Sequence, residues 1–362
     1  MSVVRVAAAR IQESSWLPDG ERVRGGLRLG VTGDDGRVGL GEAAPLPGRS
    51  PELLSAARAA LEAWALTMRA EIDLANPLPQ IEELAAPMRR DRLPSAAFAV
   101  ETALLDLVAQ ARGESVAALL RGAPPHRELE VNATVDLVRG RGSIELVAAL
   151  VRRGFRTFKV KSGDASFDVQ CRALEHVRRR FGAGLRLRLD AAGSWPLAEA
   201  TARLDRLAPL ALEYVEQPVA AAELAGLARG VVPMAADETM ETDGGPQAVF
   251  DAGNCSAVVL KPALLGGLCH VRKLACTAQK LGLAVVITHA FDGPLGLAVA
   301  CELSLSLPFA PAACGLTRHQ GLAVWPSLML PQLDGPRLRP SGGTGLGLSA
   351  REREQAMWLG EA

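Results

Sequence analysis

Over the first 50 residues, apolar and polar positions alternate in short runs such as "VVRVAAARIQ" and "GGLRLGVTGDDGRVGLGEAAPL", broken by Asp-Gly pairs. A period of two with Asp-Gly turns predicts antiparallel strands joined as hairpins. From Pro51 to about Arg121 the spacing of apolar residues becomes helical. "PELLSAARAALEAWALTMRA" follows Ser50, which predicts a helix with Ser50 as N-cap and Pro51 at its first position. "SAAFAVETALLDLVAQARG" predicts a second helix closing on Gly113. The opening region therefore reads as an α+β unit.

After "RGAPPHREL" the rhythm changes again. Short apolar runs recur: "EVNATVDL", "TFKVKS", "LRLRLDA", "LEYVEQP", "VPMAADE", "SAVVLKP", "LAVVITH" and "AACGLT". Amphipathic stretches such as "SIELVAALVRRG", "DVQCRALEHVRRRFG" and "LCHVRKLACTAQKLG" lie between them. Strands alternating with helices predict parallel βα units, and a count of eight predicts a closed (β/α)8-type barrel. An open doubly wound sheet is the alternative, disfavoured because no Gly-rich dinucleotide fingerprint follows the first strand. The late "GGTGLGL" lacks that spacing and reads as a loop. The predicted organisation is an N-terminal α+β capping domain (1–125), a barrel (126–325) and a C-terminal segment (326–362) returning to the cap.

Charged residues stand at the C-terminal ends of the predicted barrel strands. These are Lys159 and Lys161, then Asp190, Glu216, Asp237 with Glu238, and Lys261. In a parallel barrel these ends converge on one mouth, where active sites are built. Any one of them has a structural explanation as a cap, a turn residue or half of an ion pair. Five successive strands ending in charged residues is a pattern that capping does not produce.

Composition narrows the chemistry. Lys plus Arg and Asp plus Glu number 40 each in 362 residues, and aromatic residues are 4%. No basic field or aromatic-interleaved basic stripe points to nucleic acid, and "VRRRFG" (177–182) reads as the solvated end of a helix. Six cysteines without a CxxC pair fit buried thiols in a reducing compartment. The start of the chain carries no signal pattern, and no apolar run approaches a membrane span, so a soluble cytoplasmic protein is expected.

Most cations are arginine, which singles out the lysine pair of "FKVKSGD" (158–164). Lys159 and Lys161, two apart on a strand, project to the same face. Three carboxylates without an imidazole suit Mg²⁺, with Mn²⁺ as an alternative, and argue against zinc. Such an ion binds a substrate carboxylate and stabilises the charge left when the α-proton departs. A lysine takes that proton if a neighbouring cation and desolvation lower its pKa. Lys261 is then a second acid/base or an electrostatic clamp. The expected partner is a small-molecule carboxylate.

This succession of Lys-x-Lys, Asp, Glu, Asp-Glu and Lys resembles the enolase superfamily, specifically its muconate-lactonising subgroup. "GLGEAAPLPGRSPE" (39–52) is similar to that family's capping loop, and "ETALLDLVAQARG" (101–113) to the helix before its barrel. The resemblance implies Lys161 as the proton-abstracting base and Lys159 as its electrostatic partner. Asp190, Glu216 and Asp237 would hold Mg²⁺, Glu238 would stand behind them, and Lys261 would stabilise an enediolate. "LKPALLGG" (260–267) and the Pro-Leu-Pro-Gly stretch resemble the o-succinylbenzoate synthase family most. That family dehydrates 2-succinyl-6-hydroxy-2,4-cyclohexadiene-1-carboxylate in menaquinone biosynthesis. Dipeptide epimerases, N-acylamino-acid racemases and cycloisomerases of the subgroup remain alternatives, as does a non-catalytic metal-binding barrel. "CGLTRHQ" (314–320) lacks the acidic pair by which epimerases grip an amine. Two departures stand out: Ala192 where the family often has Asn, and "THAFDGPLG" (288–296) where a Ser-rich stretch with Glu is usual. There Thr288 and His289 are candidate substrate contacts, and Asp292 a substitute for the Glu.

Overall fold

The computed structural model describes residues 3–17, 23–137, 141–161, 166–324 and 332–358. The chain opens with β1 (Val3–Trp16), β2 (Arg24–Gly33) and β3 (Val38–Ala43), antiparallel, with β4 (Glu71–Asp73) added to the free edge of β1. Asp35-Gly36 makes the β2–β3 turn with Gly36 at φ 82°, a conformation open to glycine. The other Asp-Gly pair, Asp19-Gly20, lies outside the described residues. β4, too short to show a pattern, is an addition to the expected strands.

Helices α1 (Leu54–Thr67), α2 (Pro77–Arg90), α3 (Pro94–Arg112) and α4 (Val116–Arg121) follow. α3 ends on Gly113 in the left-handed region, as its pattern predicts. Every residue from Ser95 to Ala109 is buried, Glu101 and Asp106 included, which makes α3 a core helix. It lies directly on β3: a Cβ at Gly39 or Gly41 would overlap the carbonyl oxygens of Ala103 and Ala99. The expected start of the first helix is corrected. Ser50 does not cap α1, which begins at Leu54 with no side-chain cap. The Ser50 hydroxyl accepts from Leu46 N–H at 2.8 Å, closing a turn, and the Glu52 carboxylate accepts from Ser95 N–H at 2.7 Å. Glu52 thus satisfies a donor in the first turn of α3, so a tertiary partner took the cap that local sequence offered α1.

The barrel runs β5 (Leu129–Glu130), β6 (Ala133–Val135), α5 (Arg141–Arg152), β7 (Thr157–Lys161), α6 (Phe167–Phe181), β8 (Arg186–Asp190), α7 (Leu197–Leu207), β9 (Tyr214–Glu216) and β10 (Met234–Ala236). It continues with α8 (Gly245–Ala252), β11 (Ala257–Leu260), α9 (Pro262–Leu265), α10 (Leu268–Lys280), β12 (Ala284–Ile287) and α11 (Pro294–Ser306). β6 to β12 form one parallel sheet in sequence order. The predicted eighth strand, "AACGLT", is reduced to bridges that close the ring. Ala312 and Gly315 N–H donate to Val285 and Ile287 carbonyls, while Cys314 N–H donates to Glu130 and Asn132 N–H to Cys314. The fold is a (β/α)8-type barrel with an α+β cap.

Beyond the barrel, β13 (Gln332–Asp334) pairs with β14 (Arg337–Arg339) and β14 with β5, while α12 (Ala350–Trp358) packs on β2 and β3. The Gly-rich 342–347 stretch is the expected loop, with Gly345 exchanging backbone hydrogen bonds with Glu114 and Val116. All six cysteines are free thiols, and five are buried. No helix of the described residues is long and apolar enough to cross a membrane.

Candidate active site

The strands deliver their terminal residues to one mouth through register. Lys161 is paired with Asp190 across β7–β8, and Asp190 with Glu216 across β8–β9. Asp237 immediately follows β10 and Lys261 immediately follows β11. The three carboxylates are buried, with Asp190 8%, Glu216 1% and Asp237 3% exposed.

Lys159 does not stand beside Lys161 as an unshared cation. Its Nζ donates to Glu216 Oε1 at 2.6 Å and lies 3.0 Å from Asp190 Oδ2. Burial alone would lower its pKa, but Asp190 and Glu216 outweigh that and hold it well above the usual lysine value. Lys261 is likewise locked, ion-paired with Asp237 and 3.2 Å from Glu241 Oε1. Lys161 differs: it is exposed at the mouth and has no ion pair with a described residue. The walls of the mouth still remove enough water to lower its pKa, an effect that Asp190 opposes and Lys159 reinforces. Desolvation is therefore the first cause, and the neighbouring ammonium contributes after it. Of the three lysines, Lys161 is the one without an ion pair among the described residues.

Arg49 and Glu241 belong to this cluster and were missed in the sequence. Arg49, from the capping loop, reaches Asp237 at 3.2 Å, Glu238 at 2.6 Å and Glu241 at 2.6 Å. Residues 238–241 form one 3-10 turn, in which side chains three apart eclipse, so Glu238 and Glu241 present together to Arg49. The available signal was a lone Arg inside a Pro/Gly loop. Gln217 was also missed. It is fully buried at φ 41°, and its Oε1 accepts from the N–H groups of Asp237 and Thr239, both at 3.1 Å. It thereby sets the backbone from which Asp237 projects. Ala192 sits at φ 49°, where Asn is tolerated better than Ala, and its N–H donates to Asp190 Oδ1 at 3.1 Å.

The donors suit a hard divalent cation. Three buried carboxylates on adjacent strand ends crowd negative charge. Burial and the neighbouring Asp190 and Asp237 charges push Glu216 well above the usual carboxylate range despite Lys159. A bound cation relieves that crowding. Here the carboxylate oxygens face ammonium and guanidinium groups. Among the described residues no group of three or more His, Cys, Asp or Glu forms a ready ligand cluster.

Residues 288–293 form the opposite wall. The Thr288 hydroxyl donates to the Gly315 carbonyl at 2.8 Å. His289 Nδ1 accepts from Phe291 N–H at 3.1 Å, so Nε2 carries the proton and donates to the Thr317 carbonyl at 3.1 Å. Burial pushes the His289 pKa down to about 4, which keeps the ring neutral. Both side chains thus spend their polar groups on backbone. Asp292, 2% exposed, pairs with Arg24 at 3.4 Å.

Glu42, from β3 of the cap, accepts from Gly293 N–H at 2.6 Å and ties cap to barrel. Burial and Asp292 raise its pKa from 4.5 to about 7 against the pull of Arg28 and Arg24. A carboxyl with a raised folded pKa contributes stability that is present below pH 4.5 and lost as pH rises through about 7. Glu42→Gln is therefore expected to gain stability relative to the wild-type chain between pH 5 and pH 8, by on the order of 3 kcal/mol at most. Urea unfolding of both proteins at the two pH values measures it. A difference independent of pH would show that Glu42 is ionised in the fold.

Residues 143–354 match the family profile described as enolase C-terminal domain-like. The chain belongs to the enolase C-terminal domain-like family. The matched span holds all seven charged strand-end positions, so the resemblance to the enolase superfamily rests on the barrel and its mouth. Curated relatives of this family member include the o-succinylbenzoate synthases of Thermobifida fusca and Desulfotalea psychrophila. The first is 39% identical over 199 residues (54% of this chain, 61% of that protein), and the second 33% over 233 residues (62% of each). The matches span about three fifths of these relatives' length. Solved structures sharing the fold include a dipeptide epimerase from Enterococcus faecalis and a muconate lactonizing enzyme from Pseudomonas putida. Each is 22% identical, with TM-scores of 0.84 (95% of this chain and 99% of that one) and 0.83 (97% and 98%).

Proposed function

We propose that this chain is an o-succinylbenzoate synthase, a carbon–oxygen lyase of menaquinone biosynthesis. Its substrate is then 2-succinyl-6-hydroxy-2,4-cyclohexadiene-1-carboxylate, a small-molecule carboxylate met in the cytoplasm. The observation that carries the reading is Lys161, with its lowered pKa and no ion pair to a described residue, beside three buried carboxylates and two locked lysines. The curated relatives' name supports the choice of substrate.

Asp190, Glu216 and Asp237 would hold Mg²⁺, or Mn²⁺ in its place, with Glu238 behind them. When bound, the ion supplies positive charge to the substrate carboxylate as its α-carbon loses a proton. Neutral Lys161 Nζ takes that proton, and the electron pair passes into the carboxylate as an enediolate. The pair then returns to form the ring double bond as the C–O bond to the hydroxyl breaks. The Lys161 ammonium gives its proton to the departing oxygen, so one water leaves and the ring becomes aromatic. One base on one face is sufficient.

Lys159 holds Asp190 and Glu216 in place and keeps positive charge beneath the enediolate. Lys261, four strands on from Lys161 in a ring of eight positions, faces the intermediate from the other side. Its ion pairs with Asp237 and Glu241 raise its pKa, which suits a fixed cation and not a second base. Residues 1–125 form the cap over the barrel of 126–325; within the segment 326–362 α12 returns to the cap while the β13–β14 hairpin pairs with β5, and Arg49 and Trp16 extend from the cap towards the mouth.

The test is loss of the substrate's diene absorbance on mixing with protein and Mg²⁺. Turnover that stops with a chelator and resumes with added metal is expected. Absence of turnover, together with solvent-deuterium exchange into an N-acylamino acid or dipeptide, would replace the lyase by a racemase or epimerase.

A further inference from the structure

Phe291 is held in a conformation that packing does not explain. Its φ is 57°, in the left-handed region where a bulky side chain is an outlier. Its neighbours Ala290 and Asp292 are 3% and 2% exposed, yet Phe291 itself is 37% exposed. Both of its backbone groups are clamped. The N–H donates to His289 Nδ1, and the carbonyl accepts from Trp16 Nε1 of the cap at 3.0 Å. The flanking carbonyls are pinned as well: Ala290 accepts from Arg24, and Asp292 accepts from His319 Nε2 at 2.8 Å. The ring stands edge-on to His289 and His319, with centroids 6.3 and 5.9 Å away. Lys161 Nζ lies 5.0 Å from its centroid.

Strained residues fixed by several partners cluster where a site needs a side chain aimed. Here the aimed group is an aromatic ring, 37% exposed, with the proposed base over it. Aromatic faces favour flat, unsaturated partners over flexible chains of similar size.

We infer that Phe291 is the specificity-determining wall of this site, selecting a carboxylate borne on a planar six-membered ring over an acyclic acylamino acid or peptide. The inference rests on the reading of Lys161 as the base. It adds the residue that decides which carboxylates reach that base.

The experiment is calorimetric binding to the full chain supplied with Mg²⁺, with two probes: 2-succinylbenzoate, which carries the ring, and N-succinylalanine, which does not. Phe291→Ala is expected to lose about 10-fold in affinity for 2-succinylbenzoate and none for N-succinylalanine. Phe291→Tyr keeps the wild-type preference. Phe291→Asn, which tolerates the left-handed region, is expected to melt no lower than wild type while losing the same discrimination. Equal losses for both probes, no loss for the ring probe, or a wild-type chain without preference would each overturn the inference. So would a much lower melting temperature for Phe291→Asn, which would make the residue structural. A chain that prefers the ring probe but leaves the diene acid unchanged would retain this inference and lose the dehydration reading.

Discussion

Lys161→Ala is expected to lower kcat for the diene acid by at least about 10³-fold while leaving the melting temperature unchanged. The two halves follow from one fact: Lys161 has no ion pair with a described residue, so its removal orphans no buried charge among them. A surface-type substitution of this kind shifts stability by no more than about 0.5 kcal/mol. Activity falls steeply because Lys159 and Lys261 cannot take over. Each is tied to carboxylates that raise its pKa. Lys161→Arg keeps the positive charge but removes the accessible neutral form, and is expected to be equally inactive. Single-turnover kinetics beside thermal melting measures both halves. An alanine variant retaining a tenth of the wild-type rate would move the base elsewhere. A variant that fails to fold would make Lys161 structural.

The largest loss of stability is expected at Asp106, far from the mouth. This residue of α3 is fully buried and accepts from Leu40 N–H at 2.9 Å and Leu346 N–H at 2.8 Å. It also holds Arg353, 5% exposed, through two contacts, one of them Nη2–Oδ1 at 3.1 Å. One carboxylate therefore joins β3, α3 and the C-terminal helix, which are remote in sequence. Asp106→Ala leaves two backbone N–H groups without their acceptor and a buried guanidinium without its carboxylate, held only by the Val38 and Leu348 carbonyls. The expected cost is about 4 kcal/mol, because breaking a buried pair from one side leaves an uncompensated charge. Asp106→Asn keeps an acceptor and is expected to lose less. Urea denaturation at neutral pH gives both values. A loss below about 1 kcal/mol for the alanine variant would mean that the Val38 and Leu348 carbonyls and apolar packing hold α12 without the carboxylate.

Much of this site was legible because its signals are local. A strand end is marked by where alternation stops, and parallel strands place all such ends on one side of the sheet. The charged residues of β7 to β11 could be grouped from the sequence for that reason. Ser50 and Glu52 show the limit. They form a good local capping signal, yet Leu46 and Ser95 supply their partners. Capping strength of about 1 kcal/mol is easily redirected by a tertiary hydrogen bond of similar size.

The sequence by itself determined the alternation of strands and helices, the charges at the strand ends and the resemblance that places the chain among enolase-like barrels. The first two depend on periodicity and spacing, which are properties of neighbouring residues. Only the tertiary structure decided which lysines are ion-paired among the described residues, because pairing depends on distances across strands. It alone brought Arg49 from the cap to Asp237, Glu238 and Glu241, and tied Thr288 and His289 to backbone groups. It also set Phe291 beside Lys161 in a conformation its own residue type disfavours. Such arrangements are stabilised by contacts between segments 24 to 275 residues apart, and no local pattern encodes them.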